Sequence, residues 1–124
     1  MTVGDVNSDA RGTGARFNAG KPDLALVPLI GLEDAARVFS YGAAKYAPWN
    51  WAKGMAWSVP VACLMRHLAA MQRGEEIDPE SGLPHIGHIM CNALMLATYR
   101  HTYPEGNDFG TAHLMPAASV PPGE

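Results

Sequence analysis

The sequence predicts an all-α fold, a helical bundle completed by oligomerisation. Three observations carry that prediction. No stretch alternates cleanly between apolar and polar residues, and no Asn-Gly or Asp-Gly hairpin turn appears. Three segments have helical periodicity with start and stop signals at their ends. Two of these are apolar nearly all the way round, and three short helices cannot bury such surfaces within one monomer. A second copy of the chain would supply the cover, giving a homodimer or a tetramer.

Residues 1–14, rich in Gly, Ser, Asp and Asn, are expected to form a disordered N-terminus. The first helix spans about 32–46, with Glu33 and Asp34 suited to its N-terminal end and Lys45 to its C-terminal end. Ala35, Val38, Phe39 and Ala43 form its apolar stripe, and Gly42 suggests a close approach by a neighbour. The second helix, about 58–73, opens at Ser58 with Pro60 in its first turn and closes before Gly74. The third, about 83–102, has Pro84 in its first turn and Ser81 as a candidate cap. A Pro-rich segment over 104–124 reads as a flexible tail, leaving 15–103 as the folded domain.

Of the 124 residues, 48% are hydrophobic and 17% charged, with a formal net charge of -3. That net charge gives no general argument for nucleic-acid or membrane-surface binding, and neither partner is expected. Arg66, His67 and Arg100 break the most apolar runs before they could span a bilayer, and the N-terminus has no signal-peptide pattern. Cys63 and Cys91 sit within apolar helical patterns and read as free thiols, which suits a cytoplasmic setting.

The chemistry concentrates in GEEIDPESGLPHIGH, residues 74–88. At about 100° per residue, His85, His88 and Asn92 share one face of the third helix, and polar groups on an apolar helix need partners. Glu75, Asp78 and Glu80 lie in the loop that leads into that face. Clustered carboxylates repel one another, and a hard divalent cation relieves the repulsion; Mg²⁺ is the expected ion, with Mn²⁺ or Co²⁺ compatible with the added histidines. In KYAPWNW (45–51), Lys45 can meet phosphate, Trp49 and Trp51 can stack on a base, and Asn50 can bond a base edge. Arg66, next to His67, calls for an anionic partner. Arg16 and Lys21 in GARFNAGKP add cations but no P-loop, because Pro22 stands where Ser or Thr would be required. A metal, phosphate-binding cations and aromatic platforms together point to nucleotide hydrolysis.

The blocks GARFNAGKPDLALVP, YGAAKYAPWNWAKG and RHLAAMQRGEEIDPESGLPHIGHIMCNAL resemble the phage dATP/dGTP diphosphohydrolase family. These are MazG-like all-α pyrophosphohydrolases, found in some phages that replace adenine with 2-aminoadenine. The resemblance covers about residues 14–100. It implies a MazG-like bundle and metal-dependent hydrolysis of dGTP, and of dATP, to the monophosphate and pyrophosphate. The dGMP would feed 2-aminoadenine nucleotide synthesis in the cytoplasm of an infected host cell. It also places Arg16, Lys21, Lys45, Asn50, Trp51, Arg66, His67 and Asn92 at substrate-binding positions and Glu75, Asp78 and Glu80 at catalytic ones.

The wider MazG-like superfamily holds its metal through an ExxE on one helix and an ExxD on the next. This chain has Arg66-His67 about where the first acids would lie, and His85 and His88 at the second spacing. Two ligand arrangements follow: histidines standing in as ligands, or the Glu75–Glu80 carboxylates taking over. Glu33 and Asp34 are further candidates. Two other functions compete. An HD-like phosphohydrolase using His67, Asp78, His85 and His88 would release triphosphate, although the adjacent His-Asp pair of that class is missing. A non-enzymatic helical interaction protein would leave the buried polar residues without a role.

Overall fold

The computed structural model describes residues 12, 14–16 and 19–110, and the fold is all-helical. Helix α1 runs Leu29–Lys45, α2 Ser58–Gln72 and α3 His85–Thr102, with short 3₁₀ turns at Leu24–Leu26, Asn50–Lys53 and Pro104–Gly106. One isolated bridge, Ile77 to Pro84, pins the loop between α2 and α3. No described helix is long and apolar enough to cross a membrane.

α3 is the central helix and packs on both α1 and α2. Its apolar character all the way round is therefore partly met within one chain. Ala35 and Val38 of α1, Ala70 of α2 and Cys91 and Tyr99 of α3 are buried. α1 and α3 meet at Gly87, where a Cβ would come within 2.7 Å of the Asp34 carbonyl oxygen. Only glycine allows that approach. Gly42, expected to mark a close approach, has nothing within 4 Å of where its Cβ would be. It lines open space in a cleft described below.

α1 starts three residues earlier than expected, because Pro28 sets an extended backbone directly before it. Glu33 and Asp34 consequently fall beyond the first turn and pair with Arg37, at 3.7 and 3.2 Å. α3 begins at His85, one residue after Pro84, and Ser81 does not cap it. α2 begins at Ser58, but the group that satisfies its amide is Asp108 Oδ1 at 3.0 Å, 50 residues further along the chain. At its other end the Gly74 amide donates to Met71 and the Glu75 amide to Ala70, with Gly74 at φ 87°. This double reverse bond stops the helix and turns the chain sharply into the acidic loop.

Part of the expected C-terminal tail is packed. The Tyr103 ring lies between Gly54 and Gly106, where a Cβ would sit 2.9 and 2.4 Å from it, and Trp57 donates its indole N–H to the Tyr103 carbonyl at 3.0 Å. The remainder of that tail, and most of the expected disordered N-terminus, lies outside the described residues.

Candidate active site

One face of α1, the turn that follows it and the inner faces of α2 and α3 enclose a cleft of about 560 Å³. Its position follows from local chain geometry. Trp49 adopts a left-handed backbone, φ 63°, that swings the chain from α1 into the Asn50–Lys53 turn. Asn50 and Trp51 are thereby set on the cleft wall. The Tyr99 hydroxyl, rising from the buried face of α3, donates to the Trp51 carbonyl and fixes that turn. Phe39, Trp49 and Tyr99 surround the Trp51 ring at centroid distances of 5.6, 5.8 and 6.0 Å. One end of the cleft is therefore an aromatic chamber.

The polar end is built by the α2–α3 loop. The Asp78 carboxylate Oδ2 accepts from the Ser81 amide at 2.9 Å and the Ser81 hydroxyl at 2.7 Å. The Ser81 hydroxyl also lies 2.7 Å from His88 Nε2, and the Asp78 carboxylate 3.5 Å from the same nitrogen. His67 of α2 stacks face to face on His88, with ring centroids 4.1 Å apart and planes 8° from parallel. Its Nδ1 is 2.7 Å from His85 Nδ1. His85 is almost fully buried, and its Nε2 meets Glu75 Oε1 at 2.8 Å. The result is a continuous polar line from Glu75 through His85 and His67 to His88, Ser81 and Asp78.

Burial of the Asp78 carboxyl works to raise its pKa. The two Ser81 hydrogen bonds, with His88 and His67 nearby, outweigh that and hold it below the ordinary value. Asp78 is thus an anion at neutral pH. Burial lowers His67 and His88 below 6.5, in His67 reinforced by His88 and in His88 opposed by Asp78. Both are neutral imidazoles near pH 7, the form that binds metal. Cys91 is pushed up to about 12 by burial and the nearby Cys63, so its thiol is no nucleophile.

A pH dependence follows for the metal-free protein. The unfolded chain takes up protons near the ordinary histidine value of 6.5, whereas native His67 and His88 do so only at lower pH. Stability is therefore expected to fall as pH drops from about 7 to about 5, with the Asp78 contribution lost in a separate window below 3.8. Urea midpoints measured at both ends of the upper window check this; equal midpoints would show that these histidines do not govern it.

Of the residues singled out in the sequence, Lys45, Asn50, Trp51, His67, Asp78, Glu80, His88 and Asn92 line the cleft. Asn92 donates its amide to the His88 carbonyl at 2.8 Å and to Cys63 Sγ at 3.4 Å. Lys45 and Glu80 meet at 3.0 Å across the mouth, where the hydrogen bond that Lys45 donates to the Glu80 carboxylate raises the Lys45 pKa. Glu75 and His85 reach the line from behind it and do not line the cleft. Arg16, Lys21, Arg66 and Glu33 are exposed and outside the cleft; half-buried Asp34 lies outside it too. The sequence reading missed Ser81 as the hinge between Asp78 and His88; the D-x-x-S spacing of an Asp-stabilised turn was its available signal. It also missed Tyr41, whose ring meets His88 edge-on at 6.4 Å and lies 5.8 Å from the Lys45 ammonium.

A family model described as dATP/dGTP diphosphohydrolase, N-terminal, matches residues 11–109. A protein of Salmonella phage PMBT28 named dATP/dGTP diphosphohydrolase is 28% identical over 96 residues, which cover 77% of this chain and 33% of that protein. The chain thus matches about a third of the length of that relative (33%). No solved structure matches it.

Proposed function

This chain belongs to the dATP/dGTP diphosphohydrolase N-terminal family, and we propose that it hydrolyses purine deoxynucleoside triphosphates to the monophosphate and pyrophosphate in a metal-dependent reaction. The observation that supports this most is the polarity of the cleft. Aromatic rings crowd one end, Asp78 and neutral histidines form the other, and the Lys45–Glu80 pair stands at the mouth. A base and a triphosphate need that arrangement in that order.

In this reading Trp51 stacks on the base and Asn50 bonds its edge. Lys45 exchanges Glu80 for a phosphate oxygen, a geometry its exposed ammonium permits. Asp78, neutral imidazoles and Glu80 are a donor set that suits a divalent ion, which when bound polarises phosphate oxygens and lowers the pKa of water. Ser81 holds the Asp78 carboxylate in place and sets which His88 nitrogen carries its proton. Arg16, Lys21 and Arg66 lie outside the cleft lining. Hydrolysis of dGTP would supply dGMP for 2-aminoadenine nucleotide synthesis. A homo-oligomer is part of the proposal too, because Val59, Met65 and Leu68 of α2 and Leu29 and Ile30 of α1 are exposed.

A second reading stays open on one observation. His67, Asp78 and His85 offer ligand atoms within 4.8 Å of one another, the grouping an HD-like triphosphohydrolase would use. A panel of dNTPs with Mg²⁺, Mn²⁺ or Co²⁺, with products separated by ion-exchange chromatography, decides between them. The expected result is dGMP, and dAMP from dATP, with pyrophosphate. Triphosphate release would favour the second reading, and no turnover with any ion would sink both. Light scattering on the same preparation is expected to give a dimer or tetramer; a monomer would remove the oligomer from the proposal.

A further inference from the structure

His67 and His85 face each other through the same ring atom, Nδ1 to Nδ1, at 2.7 Å. On the far side of the His85 ring, Nε2 lies 2.8 Å from Glu75 Oε1. A carboxylate only accepts, so His85 must carry its proton on Nε2. In the neutral ring this leaves a bare lone pair on Nδ1, aimed into the cluster beside His67 and Asp78. Glu75 therefore fixes the tautomer and orientation of His85 as an outer-shell carboxylate does for a ligating histidine.

We propose that His67 Nδ1, His85 Nδ1 and an Asp78 carboxylate oxygen hold one divalent ion of the first-row d-block, Mn²⁺, Co²⁺ or Zn²⁺, in preference to Mg²⁺. Glu75 orients His85 from behind and is not itself a ligand. The inference deepens the function proposed above and rests on its metal requirement, while naming a ligand and an ion class that reading leaves open.

Spacing and chemistry both support the site. Ligand atoms about 2.0–2.2 Å from a shared ion lie roughly 3.3–3.6 Å from one another in a tetrahedral site. The present separations, 2.7 Å at the close edge and within 4.8 Å throughout, bracket that range. Two neutral imidazoles and one carboxylate match the preferences of Mn²⁺, Co²⁺ and Zn²⁺. Mg²⁺ favours oxygen ligands and retained water. For His67 to ligate, its Nδ1 proton must move to Nε2 of the same ring, a tautomer change that leaves the charge unaltered. The site opens on the cleft, since His67 and Asp78 line it.

The test is metal binding to the chelator-stripped full chain, with no nucleotide present. Calorimetric titration is expected to show Co²⁺ and Mn²⁺ binding at least ~10-fold more tightly than Mg²⁺. His67→Asn should weaken Co²⁺ binding by ~10-fold or more, and Glu75→Gln by ~10- to 100-fold. Glu105→Gln, at an exposed position outside the cleft, should leave it unchanged. A readout that needs no variant is the proton NMR spectrum of the Co²⁺-loaded protein, where two hyperfine-shifted imidazole N–H signals are expected. Equal affinity for Mg²⁺, loss of binding in Glu105→Gln, or absence of shifted imidazole signals would each overturn the inference. Hydrolysis of dGTP accompanied by any of these results would leave the proposed function standing. Histidine-ligated Co²⁺ without hydrolysis would do the reverse.

Discussion

Replacing Asp78 with Asn is expected to lower kcat by about 10³-fold or more and to leave the fold intact. The carboxylate is the anion of the polar line that faces the cleft directly, and Ser81 holds it with two hydrogen bonds. An Asn side chain keeps an oxygen for the Ser81 amide and fills the same volume. It brings no charge to a cation, and its NH₂ is a donor where the site needs an acceptor. The relevant comparison is kcat at saturating dGTP and Mn²⁺ beside the circular-dichroism melting curve. Near-normal turnover in a folded Asp78→Asn protein would show that the loop does not carry the chemistry. Loss of activity with collapse of the melt would show that Asp78 matters for the loop alone.

Tyr99→Ala is expected to cost about 3–5 kcal/mol of stability, the range for deleting a fully buried aromatic ring. Tyr99 has no exposed surface and packs against Trp51 and Tyr103. Its hydroxyl also satisfies the Trp51 carbonyl. Tyr99→Phe separates the two effects: it keeps the ring and gives up the hydroxyl, for an expected cost of about 1 kcal/mol. Urea unfolding of the three proteins measures both terms. Because Trp51 sits on the cleft wall, the Phe variant should also raise KM for the nucleotide more than it lowers kcat. A Phe variant as unstable as the Ala variant would mean that the hydrogen bond, not the packed ring, dominates.

The helices were legible wherever the chain carries its own punctuation. Pro60, Gly74 and Pro84 mark the limits of α2 and the start of α3, and the structure follows them closely. The start of α1 was less legible, because Leu29 and Ile30 are apolar but exposed, and periodicity reads only residues that choose a side. Asp108 capping α2 had no local signal at all, being supplied from fifty residues away. The same distinction holds at the site. The shared face of His85, His88 and Asn92 was readable from helical spacing, since all three lie on one element. The meeting of His67 with His85, and its stacking on His88, depends on how α2 crosses α3, which no spacing within either helix encodes. Nor could spacing divide the acidic loop. Glu75 turns behind the histidines, Asp78 faces the cleft and Glu80 reaches its mouth. The sharp turn at Gly74 and the Ile77–Pro84 bridge send three near neighbours in three directions.

The contact between Lys45 and Glu80 has a consequence for how the cleft exchanges with solution. Their side chains are 44% and 70% exposed, and a pair so hydrated adds little to the fold. Exposed pairs of this kind weaken as salt ions are added, so this crossing between α1 and the loop opens and re-forms at small cost. The interior line of Asp78, His67 and His85 is shielded from the same ions by its burial. Salt concentration therefore acts on the entrance and leaves the interior nearly untouched: admission to the cleft and the strength of the groups waiting inside it are set independently.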